Sequence, residues 1–194
     1  MGIPELLASL EASNLATRIR ESLYLFPLIE ATHVIGLTMV FGTIAIVDLR
    51  LLGIASTGRP FSRIASDIMK WTWAAFALTV MTGLLMFTTN AAVYYDNVYF
   101  RAKMMMLVCA GINILIFERT AARSMQRWDK DPAAPLAGKT VAVVSLVVWI
   151  SIIFLGRWIG FTTTHTNLKP DTDFNIDSLF PPDASDPGKS APPK

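Results

Sequence analysis

The chain has 194 residues, 53% of them hydrophobic and only 16% charged, with a net charge of +2. A soluble domain carries nearer a quarter charged residues, so the balance points to a membrane, and the small net charge gives no basis for binding nucleic acid. The single cysteine, Cys109, excludes an intramolecular disulfide and a cysteine-based zinc site, and in its apolar setting it reads as a small buried hydrophobe.

Residues 1–22 place Ile3, Leu6, Leu7, Leu10, Leu15 and Ile19 near helical spacing, with Glu5, Glu11 and Arg18 between them. This predicts an amphipathic helix lying on the membrane surface or on a neighbouring helix. It is not a signal peptide: no basic start precedes an apolar core, and no small-residue cleavage site follows one. The first membrane span, 26–52, carries Glu30 and His33 about one turn apart near its start. Gly36, Gly42 and Thr43 give it small surfaces for close helix packing, and Asp48 and Arg50 end it. The following link contains the turn signal Thr57-Gly58-Arg59-Pro60.

The second span, 71–89, has no charged residue, and Trp71 and Trp73 read as interfacial anchors. An aromatic belt follows, with Tyr94, Tyr95, Tyr99 and Phe100 around Asp96 and Asn97. The third span, 100–118, contains Lys103, Cys109 and Asn113, and its helical pattern continues into a basic stripe of Arg119, Arg123 and Arg127 facing lipid headgroups. Asp131, Pro132 and Pro135 break that helix. The fourth span, 140–161, is rich in valine and isoleucine, with Trp149 in its middle and Arg157 near its end. Residues 162–194 are polar and proline-rich and are expected to be extended, with Phe174, Ile176, Leu179 and Phe180 available to dock on a partner.

The fold class is therefore all-α: an integral membrane four-helix bundle over 23–161, with the N-terminal amphipathic helix before it and the extended tail after it. Arg50, Arg59, Arg63 and Lys70 flank or fill the first link, and Arg119, Arg123, Arg127, Lys130 and Lys139 the third. By the positive-inside rule both links are cytoplasmic, so both termini face the periplasm of a bacterial inner membrane.

Counting along the helices places Glu30 and Arg157 about 6 Å, His33 about 10 Å and Lys103 about 5 Å below the outer boundary. Four ionisable groups from three helices thus share one layer of the outer leaflet, where charges are costly and mark function or tight pairing. In the structural reading, Glu30 pairs with Lys103 or Arg157 and His33 bonds a backbone carbonyl. In the functional reading, His33 is an axial metal ligand or a proton-transfer group, and Lys103 and Arg157 neutralise the carboxylates of a haem, a porphyrin or an anionic headgroup. His165, the other histidine, lies beyond the fourth span and reads as an exposed or interface residue.

A histidine early in the first span, glycines after it and an arginine at its end (His33, Gly36, Gly42, Arg50), with Lys103 opening the third span in FRAKMMMLV, resemble the four-helix HemJ-type protoporphyrinogen oxidases and CopD-like proteins. The resemblance covers roughly residues 26 to 160 and implies haem b held by His33 and Lys103. The whole chain is closest in build to an uncharacterised bacterial family.

Three functions follow as expectations. The first is a haem b or related porphyrin protein for electron transfer, with Glu30 handling protons beside the His33 ligand. The second is a non-catalytic membrane subunit bracing a larger complex. The third is an oxidase acting on a tetrapyrrole or quinol, and no catalytic residue is identified for it. The partners expected are the lipid bilayer, a periplasmic or membrane protein gripped by the tail, and a second copy of the chain.

Overall fold

The computed structural model describes residues 2–167, with side chains as far as Thr162. Helices α1 (Ile3–Glu11) and α2 (Asn14–Glu21) precede the long α3 (Leu25–Leu52) and α4 (Phe61–Thr89). The short α5 (Ala91–Asp96) leads into α6 (Val98–Arg119). A 3-10 turn over Ala122–Ser124 and the short α7 (Met125–Trp128) then lead to α8 (Leu136–Asn167). The described residues form a helical bundle without strands, and four of its helical segments are long and apolar enough to cross a membrane.

Several boundaries differ from the sequence reading. The N-terminal segment is two helices, because Ser13 interrupts the first and its hydroxyl accepts from the Ala16 amide at 3.2 Å to start the second. The second long helix begins at Phe61, ten residues before its uncharged stretch, since helix formation does not require apolar residues once the start is capped. The third long helix stops at Arg119 instead of running on to Trp128. Cys109, expected to be buried, is exposed on α6. Its neighbours Met105, Val108 and Ile112 are exposed too, as are Val34 and Ile35 on α3, Leu84 on α4 and Phe154 on α8. Apolar surface on every long helix is what a lipid-facing bundle carries; a single docking patch would be confined to one side.

α3 packs along both α4 and α8, and α8 packs along α6, whereas α4 and α6 keep their backbones apart. Their side chains fill the difference: Phe76 of α4 and Met106 and Leu107 of α6 pack against a core of Val40, Ala75, Ala110, Val148, Trp149 and Ile152. Gly36 makes the α3–α4 approach possible. A Cβ there would lie 2.6 Å from Thr79 Oγ1, closer than real contacts allow. Gly36→Ala is expected to lower stability in detergent by about 1–3 kcal/mol, the usual cost of overpacking. Gly42 supplies the control, because a Cβ there would meet nothing within 4 Å. Gly42→Ala should leave the thermal midpoint unchanged or slightly raised.

A second core lies at the other end of the bundle, around Leu51, Phe61, Ala121, Trp128, Ala134 and Ala142. It is closed by Arg50, which is 0% exposed. Its Nε and Nη2 donate to the Arg59 carbonyl at 3.1 and 3.0 Å, and its Nη1 donates to Pro132 O at 3.2 Å. Nη2 also reaches Asp131 O at 2.9 Å and Asp129 O at 3.4 Å. One guanidinium thereby ties the first link to the third. Gly53, at φ 79, ends α3 in the left-handed conformation that only glycine adopts freely, and its amide donates to Arg50 O.

Asp129 caps α4 from a distance in sequence. Pro60, at the cap position, has no side-chain acceptor, and Asp129 accepts instead from the Ser62 amide at 2.7 Å and the Ser62 hydroxyl at 2.9 Å. The Ser62 amide, more than any other group, holds the Asp129 carboxyl below the usual aspartate range. A depressed folded value means that the stabilisation is present above the unfolded value near 3.8 and is lost as pH falls through the folded one. Asp129→Ala is expected to cost about 1 kcal/mol at neutral pH and to flatten the acid limb of a stability–pH profile.

At the opposite end, α1 and α2 lie across the bundle. Arg20 donates to Thr89 O at 3.0 Å and to Glu11 O at 3.2 Å, and the Glu11 carboxylate accepts from the Ala92 amide at 2.8 Å. These contacts cap α5 and seat the amphipathic helices on the bundle.

Candidate functional site

His33 sits where α3 crosses α4, with its ring over Gly83: a Cβ on that glycine would lie 3.0 Å from His33 Cε1 and 3.4 Å from Nδ1. His33 Nδ1 is 2.9 Å from the Thr79 carbonyl and 3.1 Å from Thr82 Oγ1. A carbonyl only accepts, so Nδ1 carries the proton. The Thr82 hydroxyl points its own proton at Leu78 O or Thr79 O, at 2.8 and 3.1 Å, which leaves its oxygen to accept from the imidazole. The tautomer is thereby set, and Nε2 keeps its lone pair with no hydrogen bond to a described residue. This is how metal-binding histidines are held: the far ring nitrogen donates to a carbonyl, fixing ring orientation and raising basicity at the other.

Lys103 comes to the same layer from α6 and is close enough to act electrostatically on His33. It is half-buried and runs against α8, with Nζ 3.3 Å from the position a Cβ on Gly156 would take. Glycines on α4 and α8 thus make room for the two polar side chains.

Aromatic rings close the layer on the side of α5. Phe87, one turn beyond Gly83, stacks on Phe100, one turn before Lys103, at 5.5 Å, and Tyr94 of α5 lies 6.3 Å from Phe87 and 5.7 Å from Phe100. The Tyr94 hydroxyl is pushed above the ordinary tyrosine range, first by burial and then by the charge of Glu30, which places Glu30 near this cover. On the other side lies the core around Val40, Ala75 and Ile152.

The layer therefore brings together His33 and Lys103. Glu30 is exposed one turn further out. Arg157 is exposed as well, its guanidinium stacked 5.0 Å from the Phe161 ring centre, and it turns away from the interior. No ion pair joins these four residues among those described. His165 lies in α8, but its side chain falls outside the described residues, as does the whole tail from 168 onward, including the expected docking residues. A groove of about 380 Å³ between α1 and α5, lined by Leu7, Glu11, Ala92 and Tyr95, does not reach His33. No group of three or more His, Cys, Asp and Glu side chains is placed to hold a metal among the described residues.

Sequence reasoning missed Thr79, Thr82, Gly83 and Gly156. The available signal was the pair of threonines and the glycine in Thr79-Val80-Met81-Thr82-Gly83, polar or small groups in the middle of the second span.

Comparison with known families assigns the chain to a family of unknown function, DUF6644, which matches residues 23–162; the chain belongs to that family. The matched region holds α3, α4 and α6 whole and α8 up to its last five residues, and it leaves out α1 and α2. No curated protein and no solved structure matches the chain.

Proposed function

We propose that this member of the DUF6644 family is a bacterial inner-membrane protein that holds a haem b or related porphyrin and passes electrons. The observation that carries the reading is the tautomer of His33: Nδ1–H is committed to the Thr79 carbonyl, which leaves the Nε2 lone pair free of hydrogen bonds to the described residues. The His33–Lys103 pairing implied by the resemblance to the HemJ-type proteins adds to it. In this reading both termini are periplasmic and the site lies in the outer leaflet.

The donor set is compatible with such a group: His33 would hold the iron through Nε2, and Lys103 would offer a cation to one carboxylate of the macrocycle. In this reading the group would lie along the seam between α4 and α6, whose backbones do not pack on each other, and the side chains that fill that seam would give way. When bound, the porphyrin iron would supply one-electron exchange at a potential set by its axial ligand and surroundings. The chain's own contribution is to orient the imidazole, to set a positive charge beside it, and to exclude water with the Phe87–Tyr94–Phe100 cover. Glu30 and Arg157, both exposed, stay at headgroup level in this reading.

The test is an absorption spectrum of the purified protein, oxidised and dithionite-reduced, after expression with haem supply. A reduced b-type spectrum near one haem per chain is expected. A colourless, folded protein that takes up neither haem nor free porphyrin would overturn the proposal and leave the bracing subunit as the better reading.

A further inference from the structure

Among the described residues, the one buried side-chain polar atom without a hydrogen-bond partner is Asp48 Oδ2. Asp48 is 5% exposed and lies on the face of α3 turned to α8, with the Ser145 hydroxyl close to its carboxyl. Ser145 is itself buried. One turn earlier on α8, the Val141 carbonyl accepts from Nδ2 of the buried Asn113 on α6 at 3.1 Å. Asp48, Ser145 and Asn113 thus mark a polar seam through three helices, amid Leu51, Val141 and Ala142.

Among the described residues no cationic side chain answers the carboxyl. Arg50 is two residues away, but its guanidinium is turned to the carbonyls of residues 59, 129, 131 and 132. On α4, Arg63, Asp67 and Lys70 are exposed; on α6, Glu118 and Arg119 are exposed; on α8, Lys139 is half-buried nearly two turns from Ser145. A lone carboxylate at such a place is costly, and relief comes from a proton or from a small cation. A cation needs several converging oxygens, whereas a proton needs none beyond the carboxyl itself. Carboxyls in proton relays across membranes occupy this kind of position.

We propose that Asp48 is a proton-exchange site within the bundle, occupied by one proton while α3 and α8 are packed together. Release breaks the carboxyl O–H bond and passes the proton to water, leaving a carboxylate; no electron moves. That carboxylate must be hydrated, so release is coupled to water entering the α3–α8 seam. The fold thereby links proton uptake to helix packing at the end of the bundle opposite the His33 layer. The assignment stands whether or not a porphyrin binds at His33.

Infrared spectra of the protein in lipid bilayers, in H2O and D2O across the pH range where it stays folded, test this. A carboxylic C=O band is expected to persist at neutral pH, shift down in D2O and vanish in Asp48→Asn. Ser145→Ala, which leaves the carboxyl in place, should move the band by removing the hydroxyl beside it, and this arm serves if Asp48→Asn fails to fold. A wild type with no such band, or a band that neither variant alters, overturns the proposal. So does a carboxylate signal accompanied by sodium-dependent thermal stabilisation, which would make the seam a cation site.

Discussion

Arg50→Ala is expected to destabilise the bundle by about 3–5 kcal/mol, since each buried carbonyl that it leaves unpaired costs about 1–3 kcal/mol. The side chain is 0% exposed and its donors converge on the carbonyls of Arg59, Asp129, Asp131 and Pro132. Truncation leaves those carbonyls facing a void between two links, at about 1–3 kcal/mol for each that water cannot reach. It also frees the links that position Asp129 over the start of α4 and Ala134, whose amide donates to Leu51 O at 3.0 Å. Arg50→Lys should recover only part of the loss, because an ammonium lacks the planar fork that spans several acceptors. Denaturant titration in mixed micelles reads the difference. An alanine variant within about 1 kcal/mol of wild type would show that water replaces the guanidinium and that the clasp is not structural.

Arg50 also shows where the sequence stops being legible. The four spans can be read from apolar length alone, because a bilayer imposes length and hydrophobicity on whatever crosses it. By the same reading Arg50 is one more cation of a solvated cytoplasmic link. Nothing in the local pattern separates an arginine that snorkels from one clasped by carbonyls about 80 residues away, since the partners are backbone atoms and backbone carries no sequence signal. Asp48 reads in the same way, as the polar end of a span, although its orphaned oxygen lies inside the bundle. The His33–Lys103 layer is more legible because depth along a helix follows from residue count, and depth alone puts both in one layer. Depth does not give azimuth. Glu30 and Arg157 share the layer by count, yet the structure exposes both, and only the packing of α3 on α4 and of α6 on α8 decides which polar groups point inward.

His33→Ala should abolish the b-type spectrum outright, since the described residues offer no second imidazole side chain in that layer. Loss of colour alone would also follow from a collapsed bundle, so the graded variants carry the argument. Thr82→Ala removes one of two acceptors for Nδ1–H while the Thr79 carbonyl remains, and haem affinity should fall by roughly tenfold, the lower end for losing an outer partner of a ligand. Gly83→Ala sets a methyl 3.0 Å from His33 Cε1 and 3.4 Å from Nδ1, so the ring must turn and loosen its bond to Thr79. Its loss of affinity should exceed that of Thr82→Ala, with the helical content of the circular dichroism spectrum unchanged. Lys103→Met keeps most of the length of the side chain and removes its charge. It should weaken binding of a dicarboxylate porphyrin more than that of its dimethyl ester, a difference that a structural lysine would not produce. The order of the α4 variants tests the orientation of the imidazole, and the ester comparison tests the charge beside it. If Thr82→Ala, Gly83→Ala and Lys103→Met all bind haem as wild type does, then whatever haem the protein takes up is held somewhere other than between α4 and α6.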